Sequence, residues 1–180
     1  MKITITGATG FVGRNLSQYL TSQADDVIAL SLRDEAYQLN SDADAIIHLV
    51  GKAHDTKNTS EESTYYQINT ELTKALFDKF LQSDIKDFIF FSSVKAAADT
   101  VEGVLTEEVK PNPKTPYGDS KIKAEQYLLS QHLPSGKRVI IIRPCMIHGK
   151  GNKGNLNLLY KVVKLGIPWI LASYDNRRSF

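Results

Sequence analysis

The sequence predicts an α/β protein in which a parallel sheet is covered by helices. Short apolar runs alternate with longer stretches of helical period. Two of the runs, AIIHLV (45–50) and VIIIR (139–143), are apolar almost throughout, as central strands are when helices cover both faces. The first run passes straight into a glycine-rich turn and then into an amphipathic pattern.

In order, ITIT (3–6) is the first strand and 11–22 the helix after it. VIALSL (27–32) and AIIHLV follow as strands. From about 62 to 82, Tyr66, Asn69, Leu72, Thr73, Leu76 and Phe80 recur at three- and four-residue steps, which predicts one long helix with a mostly apolar face. Asn69 on that face needs a partner or a task. FIFFSS (88–93), a helix over 117–132 and VIIIR complete the pattern. Between Val94 and Thr115 the chain is irregular and carries Pro111 and Pro113, which predicts a loop over the carboxyl edge of the sheet.

At 180 residues the chain has room for one ordinary domain with a sizeable core. Its 22 Lys and Arg against 20 Asp and Glu leave a net charge of +2, too little to recruit nucleic acid or an anionic membrane. The single cysteine, Cys145, excludes an intrachain disulfide framework and fits a reducing compartment. No long apolar leader or span is visible, so a soluble, cytoplasmic protein is expected. The four histidines and the carboxylates do not cluster at metal-like spacing, and no metal is expected.

Two stretches carry chemistry. In GATGFVG, Gly7, Gly10 and Gly13 allow a tight turn, and the backbone at Phe11 and Val12 opens the helix. Such a turn lets N–H groups approach a pyrophosphate. Three glycines alone also describe an ordinary turn; the strand before and the helix after favour the phosphate reading. In YGDSK, Tyr117 and Lys121 stand at i and i+4 and share one helix face. Thr115 and Pro116 read as an N-cap and a first-turn proline, which places Tyr117 at the positive end of its helix. An ammonium beside a phenol stabilises the phenolate, so this pair is expected to lower the tyrosine pKa and make it a usable acid and base. Ser92 and Ser93 close the FIFFSS strand and either cap its end or meet a substrate oxygen.

Taken in order, GATGFVG, HLVGKAH, FIFFSSVK, YGDSK and RPCMIHG resemble the extended short-chain dehydrogenase/reductase superfamily, in particular its NAD-dependent epimerase/dehydratase family. The resemblance implies a Rossmann-like doubly wound sheet, an NAD(P)-binding domain over 1–150, and the start of a substrate-binding lobe over 151–180 that continues past Phe180. The chain is therefore expected to be incomplete and inactive alone. Only ten residues separate Arg33 from Asp44, so the family's third, edge strand is expected to be missing or vestigial. Where the family usually places the acid that reads the adenosine ribose, this chain has Ser31, with Arg33 close behind; this favours NADP over NAD.

The resemblance also assigns roles. Val50 and Gly51 approach the cofactor, and Lys121 bonds its nicotinamide ribose. Tyr117 moves the proton, Ser93 bonds the substrate oxygen, and Asn69 bends its helix and relays water to the lysine. Gly118 and Ser120 keep the helix narrow beside the cofactor. In GKGNKGNLNLL, Asn155 and Leu156 are candidate substrate contacts, or else an N-cap and a core leucine; in DNRRSF, Arg178 aligns with an arginine that grips a diphosphate. His148 replaces the tyrosine usual in RPCMIHG. Val94 and Lys95 stand where dehydratases carry an Asp-Glu pair, which counts against dehydration. SSVK, NKGNLNLL and NRRS are most similar to UDP-N-acetylhexosamine 4-epimerases and 4-keto reductases of surface-polysaccharide synthesis. Such proteins pair as homodimers through the two long helices. A non-catalytic dinucleotide sensor on the same fold is the alternative, although such proteins generally lack the Tyr and Lys pair that this chain keeps.

Overall fold

Five strands, β1 (Lys2–Thr6), β2 (Asp26–Leu30), β3 (Ala45–His48), β4 (Asp87–Phe91) and β5 (Arg138–Ile142), form one parallel sheet in the order β2-β1-β3-β4-β5. The computed structural model describes residues 1–34, 36–52, 61–101, 103–152 and 156–166. Ile3 lies opposite both Val27 and Ala45, so the chain leaves β1 to one side for β2 and returns to its other side for β3. That reversal opens a crevice at the carboxyl ends of β1 and β3, the place where open α/β sheets bind ligands.

The core lies under one face of the sheet. Ile46, Phe88 and Phe90 from the strands meet Leu76, Phe77 and Phe80 of α3 (Leu72–Leu81) and Ala124 and Leu128 of α4 (Pro116–Ser130). Three rings set its centre: Phe77 and Phe88 lie 5.0 Å apart, Phe80 and Phe88 5.2 Å, Phe77 and Phe80 5.4 Å. Offset and edge-on aromatic contacts of this kind fix helix against sheet more tightly than aliphatic burial alone.

No further strand lies outside β2 among the described residues. The short 31–44 connection instead drops Leu32, Tyr37 and Ala43 into the core, while Lys79 bonds the Tyr37 carbonyl at 2.9 Å and covers its ring at 3.9 Å. VIIIR departs from its expectation as a central strand. β5 stands at the sheet edge, with Val139 and Ile141 packed on the core and Ile140 and Ile142 exposed on the other face.

The predicted single helix over 62–82 is also more elaborate. α2 (Glu62–Tyr65) passes into a π-helical segment, Tyr66–Glu71, before α3. A π segment widens the helix and re-aims its side chains, and it is found disproportionately at functional sites. Asn69 lies in this segment, where Thr73 donates to its carbonyl at 2.8 Å.

The first helix, α1 (Phe11–Ser22), begins against the turn after β1. Gly7 holds φ of +72° there, and a Cβ on Gly13 would lie 2.2 Å from the Gly7 carbonyl oxygen. The chain divides into two compact units, Met1–Pro144 and Cys145–Phe180; the second contains α5 (Leu156–Lys164). No helix among the described residues is long and apolar enough to cross a membrane. Because the Gly13 overlap is with backbone, Gly13→Ala is expected to cost about 2 kcal/mol in urea denaturation, and an unchanged midpoint would refute the close approach.

Candidate active site

The site grows from the turn after β1. Gly10 caps α1 with its backbone alone, so the N–H groups at the start of α1 (Phe11, Val12, Gly13) have no side-chain cap. An uncapped helix start carries partial positive charge and free donors, and suits an anion. A Cβ at Gly7 would lie 3.0 Å from the Val50 nitrogen, so the turn and the end of β3 lie side by side across the crevice.

A hydrogen-bonded chain fixes that junction. The His48 ring is fully buried, with Nδ1 2.6 Å from the Thr6 hydroxyl and Nε2 3.0 Å from the Thr73 hydroxyl. Thr73 gives its proton to the Asn69 carbonyl, so it accepts from His48; Nε2 therefore carries the ring hydrogen and Nδ1 accepts from Thr6. Thr6 in turn accepts from the Leu49 and Val50 nitrogens at 3.2 and 3.4 Å. Burial, helped by the Lys121 charge, pushes the His48 pKa down to about 3, so the ring stays neutral and the chain intact at physiological pH.

Asn69 is the next link. Its Oδ1 accepts from the Lys52 nitrogen at 2.7 Å, and its Nδ2 donates to the Lys52 carbonyl at 3.1 Å and to Ser120 at 2.9 Å. The amide thus joins the π segment to the loop after β3 and to α4. Gly51 lies in the same nook: a Cβ there would come 3.1 Å from both Asn69 Oδ1 and Lys121 Nζ.

Lys121 is 4% exposed. Its ammonium donates to the Phe91 carbonyl at 2.9 Å and lies 4.7 Å from the Phe90 ring centroid. Burial lowers its pKa to about 8, against an opposing pull from Glu125. Tyr117 is half-buried, edge-on to Tyr65 at 6.4 Å between centroids, and hydrogen-bonded to Ser93. Thr115 accepts from the Gly118 nitrogen at 3.2 Å as the N-cap of α4. Ser93 caps the short 3₁₀ turn Val94–Ala96 by accepting from the Lys95 nitrogen at 3.2 Å. Ser93 is thereby linked to Tyr117, and Lys121 and Asn69 both border Gly51.

Two expectations change. Burial raises the Tyr117 pKa, against the Ser93 hydrogen bond, and Lys121 is not among the causes: its ammonium is engaged by the Phe91 carbonyl. The phenol is therefore a neutral donor as it stands. Gly118 and Ser120 do not thin a cofactor-facing surface either. A Cβ on Gly118 would lie 2.3 Å from the Lys95 carbonyl, and buried Ser120 bonds Asn69 and the Tyr117 carbonyl.

Ser31 and Arg33 follow β2 on the far side of β1, both exposed, with the Arg33 nitrogen 3.4 Å from the Ser31 hydroxyl. Asn155 and Arg178 lie outside the described residues, and the Leu156 side chain is not described.

A profile of the NAD dependent epimerase/dehydratase family matches residues 3–172. The chain belongs to that family. It is 32% identical to a UDP-glucose 4-epimerase of Vibrio cholerae, over 98% of this chain and 61% of the relative. A GDP-6-deoxy-D-mannose reductase of Pseudomonas aeruginosa is 29% identical over 84% of this chain and 54% of the relative. In fold it is similar to a UDP-glucuronic acid 4-epimerase of Bacillus cereus solved with UDP-glucuronic acid and NAD, at a TM-score of 0.74, 22% identity, and coverage of 93% of this chain and 64% of that one. The chain spans between one half and two thirds of the length of these proteins, and its homologues include nucleotide-sugar 4-epimerases and reductases.

Sequence reasoning missed the Thr6–His48–Thr73 chain and the carboxylate of Glu125. The helical spacing of Glu125, four residues after Lys121, was the available signal. Keeping Lys121 charged in a buried site costs on the order of 3 kcal/mol at neutral pH, from a pKa lowered from 10.5 to about 8. Lys121→Met is expected to raise the thermal midpoint of unfolding at pH 7. The difference from wild type should shrink between about pH 8 and 10.5, as the folded-state lysine and then the unfolded-state one lose their protons. A lower midpoint for the variant at pH 7 would contradict this.

Proposed function

We propose that this chain is the NAD(P)-binding and proton-transfer part of a nucleotide-sugar 4-epimerase or 4-keto-sugar reductase acting on a UDP-N-acetylhexosamine. The observation that supports the reading is the Ser93–Tyr117 hydrogen bond one helical turn from a buried Lys121 that lies beside Gly51, with a glycine turn and an uncapped helix start that suit a pyrophosphate. The same residues fit a dinucleotide, because a Cβ at Gly51 would crowd the lysine ammonium and one at Gly13 would displace the turn. Gly7, Gly10, Phe11, Val12 and Gly13 would hold its phosphates, Val50 and Gly51 would border it, and Lys121 would bond its ribose. The nicotinamide, when bound, supplies the hydride acceptor and donor for C4 of the sugar.

Tyr117 moves the proton at the sugar O4 and Ser93 holds that oxygen. A neutral phenol is ready to donate to an oxyanion, which is the reductive direction. Taking a proton from a hydroxyl needs the phenolate, and Lys121, with a pKa near 8, is the cation within α4 that can stabilise it. Asn69 keeps the loop after β3 and α4 at fixed distance, so the lysine stays beside the crevice.

NADP is the favoured dinucleotide, since no acid stands at the Ser31 position to repel a 2′-phosphate and exposed Arg33 is available to pair with it. Residues 151–180 would open the substrate lobe, and Asn155, Leu156 and Arg178 are the candidates to bind the nucleotide part of the substrate. The whole protein is a cytoplasmic homodimer joined through α3 and α4. A non-catalytic sensor is disfavoured by the retained Tyr117 and Lys121.

The test is to give the full-length protein UDP-N-acetylhexosamines or their 4-keto forms and follow nicotinamide absorbance and sugar product. Tyr117→Phe is expected to lower kcat by a factor of about 10² to 10⁴ with dinucleotide affinity kept. Wild-type turnover by the variant would refute the assignment, and tighter binding of NAD than of NADP would refute the cofactor preference.

A further inference from the structure

Behind Ser93 and Tyr117 lies a polar cluster that the proposed reaction does not consume. Glu125, one turn after Lys121 on α4, is 1% exposed. It accepts a short hydrogen bond from the Ser92 hydroxyl, and Arg143 grips it with Nε at 3.0 Å from both oxygens and Nη2 at 2.5 Å from Oε2. Ser92 directly follows β4, Arg143 directly follows β5, and the Ser92 nitrogen donates to the Ile142 carbonyl at 2.8 Å. One carboxylate thus ties the ends of two strands to the helix that carries the reactive residues.

A buried ion pair is weak support for stability, because apolar residues of equal volume usually do as well or better. Its position offers a different reason. Tyr117 and Lys121 ride on α4, whereas their partners, Ser93 and the Phe91 carbonyl, lie just after and at the end of β4. Ser92 sits between those two partners, and Glu125 holds it. Any slide of α4 along the strand would stretch both contacts, and the Ser92–Glu125–Arg143 grip opposes that slide.

The same carboxylate faces Lys121. Among the described residues, neutral groups also stand around that ammonium: His48 from β3, Asn69 from the π segment and the Phe91 carbonyl from β4. Arg143, from the end of β5, stands on the Glu125 oxygens. We propose that Glu125 is a positioning residue: it holds the Ser93 end of β4 in register with Tyr117 and Lys121 and supplies the counter-charge to the Lys121 ammonium. The inference rests on the roles given above to Ser93, Tyr117 and Lys121.

The test uses the full-length protein, wild type and as Glu125→Gln and Ser92→Ala, with two readouts. Lys121 is titrated by NMR of isotope-labelled lysine, and kcat and KM are measured where turnover is present. Glu125→Gln is expected to move the Lys121 midpoint below the wild-type value and to lower kcat on the order of tenfold or more, with sugar KM little changed. Ser92→Ala is expected to lower kcat and leave the Lys121 midpoint in place. A fall in kcat for Glu125→Gln without movement of the Lys121 titration marks a merely structural residue and overturns the proposal, as does wild-type kcat in Ser92→Ala. Should Glu125→Gln fail to fold, Ser92→Ala decides. The titration needs no turnover, so an absent sugar reaction refutes the proposed function while the Lys121 midpoint still tests Glu125.

Discussion

A lysine ammonium held out of water at the carboxyl edge of the sheet constrains nearly every residue around it. Burial alone would strip its proton, so the site must offer acceptors and a counter-charge without crowding it. The Phe91 carbonyl, the face of Phe90 and the charge of Glu125 do this. Gly51 is a glycine because a side chain would press on the ammonium, and His48 stays neutral partly because that charge is near. The residual cost, a pKa of about 8, is a local loss of stability.

The arrangement separates support from action. Asn69 and the Thr6–His48–Thr73 chain brace the crevice from the β3 side, and Glu125 with Arg143 braces it from the β5 side. Ser93 and Tyr117 lie between, bonded to each other. The π segment makes this possible: by widening the helix it turns Asn69 towards Lys52 and Ser120 and leaves its carbonyl for Thr73.

Much of this was legible in the residues. Strand and helix positions followed from period and apolar runs, because tertiary burial in a parallel sheet imposes those patterns directly. That no strand lies outside β2 among the described residues agrees with the short span between Arg33 and Asp44. Period could not show that β5 ends the sheet, since VIIIR reads the same in a covered or an open strand, nor that the helix over 62–82 holds a π turn. The YGDSK spacing placed Tyr117 and Lys121 on one helix. It did not show that a strand carbonyl would engage the ammonium, so the expected acidification of the phenol failed in the free protein. The tautomer of His48 and the grip on Ser92 depend on contacts far apart in sequence, which no local pattern encodes.

The account depends on that ammonium and that phenol facing one bound dinucleotide. A crystal structure of the full-length protein with NADP(H) or NAD(H) measures this directly. The account predicts phosphates on the turn from Gly7 to Gly13, a ribose hydroxyl about 3 Å from Lys121 Nζ, and the nicotinamide ring before the Tyr117 oxygen. A dinucleotide seated elsewhere, or a phenol and ammonium turned away from it, would contradict the account.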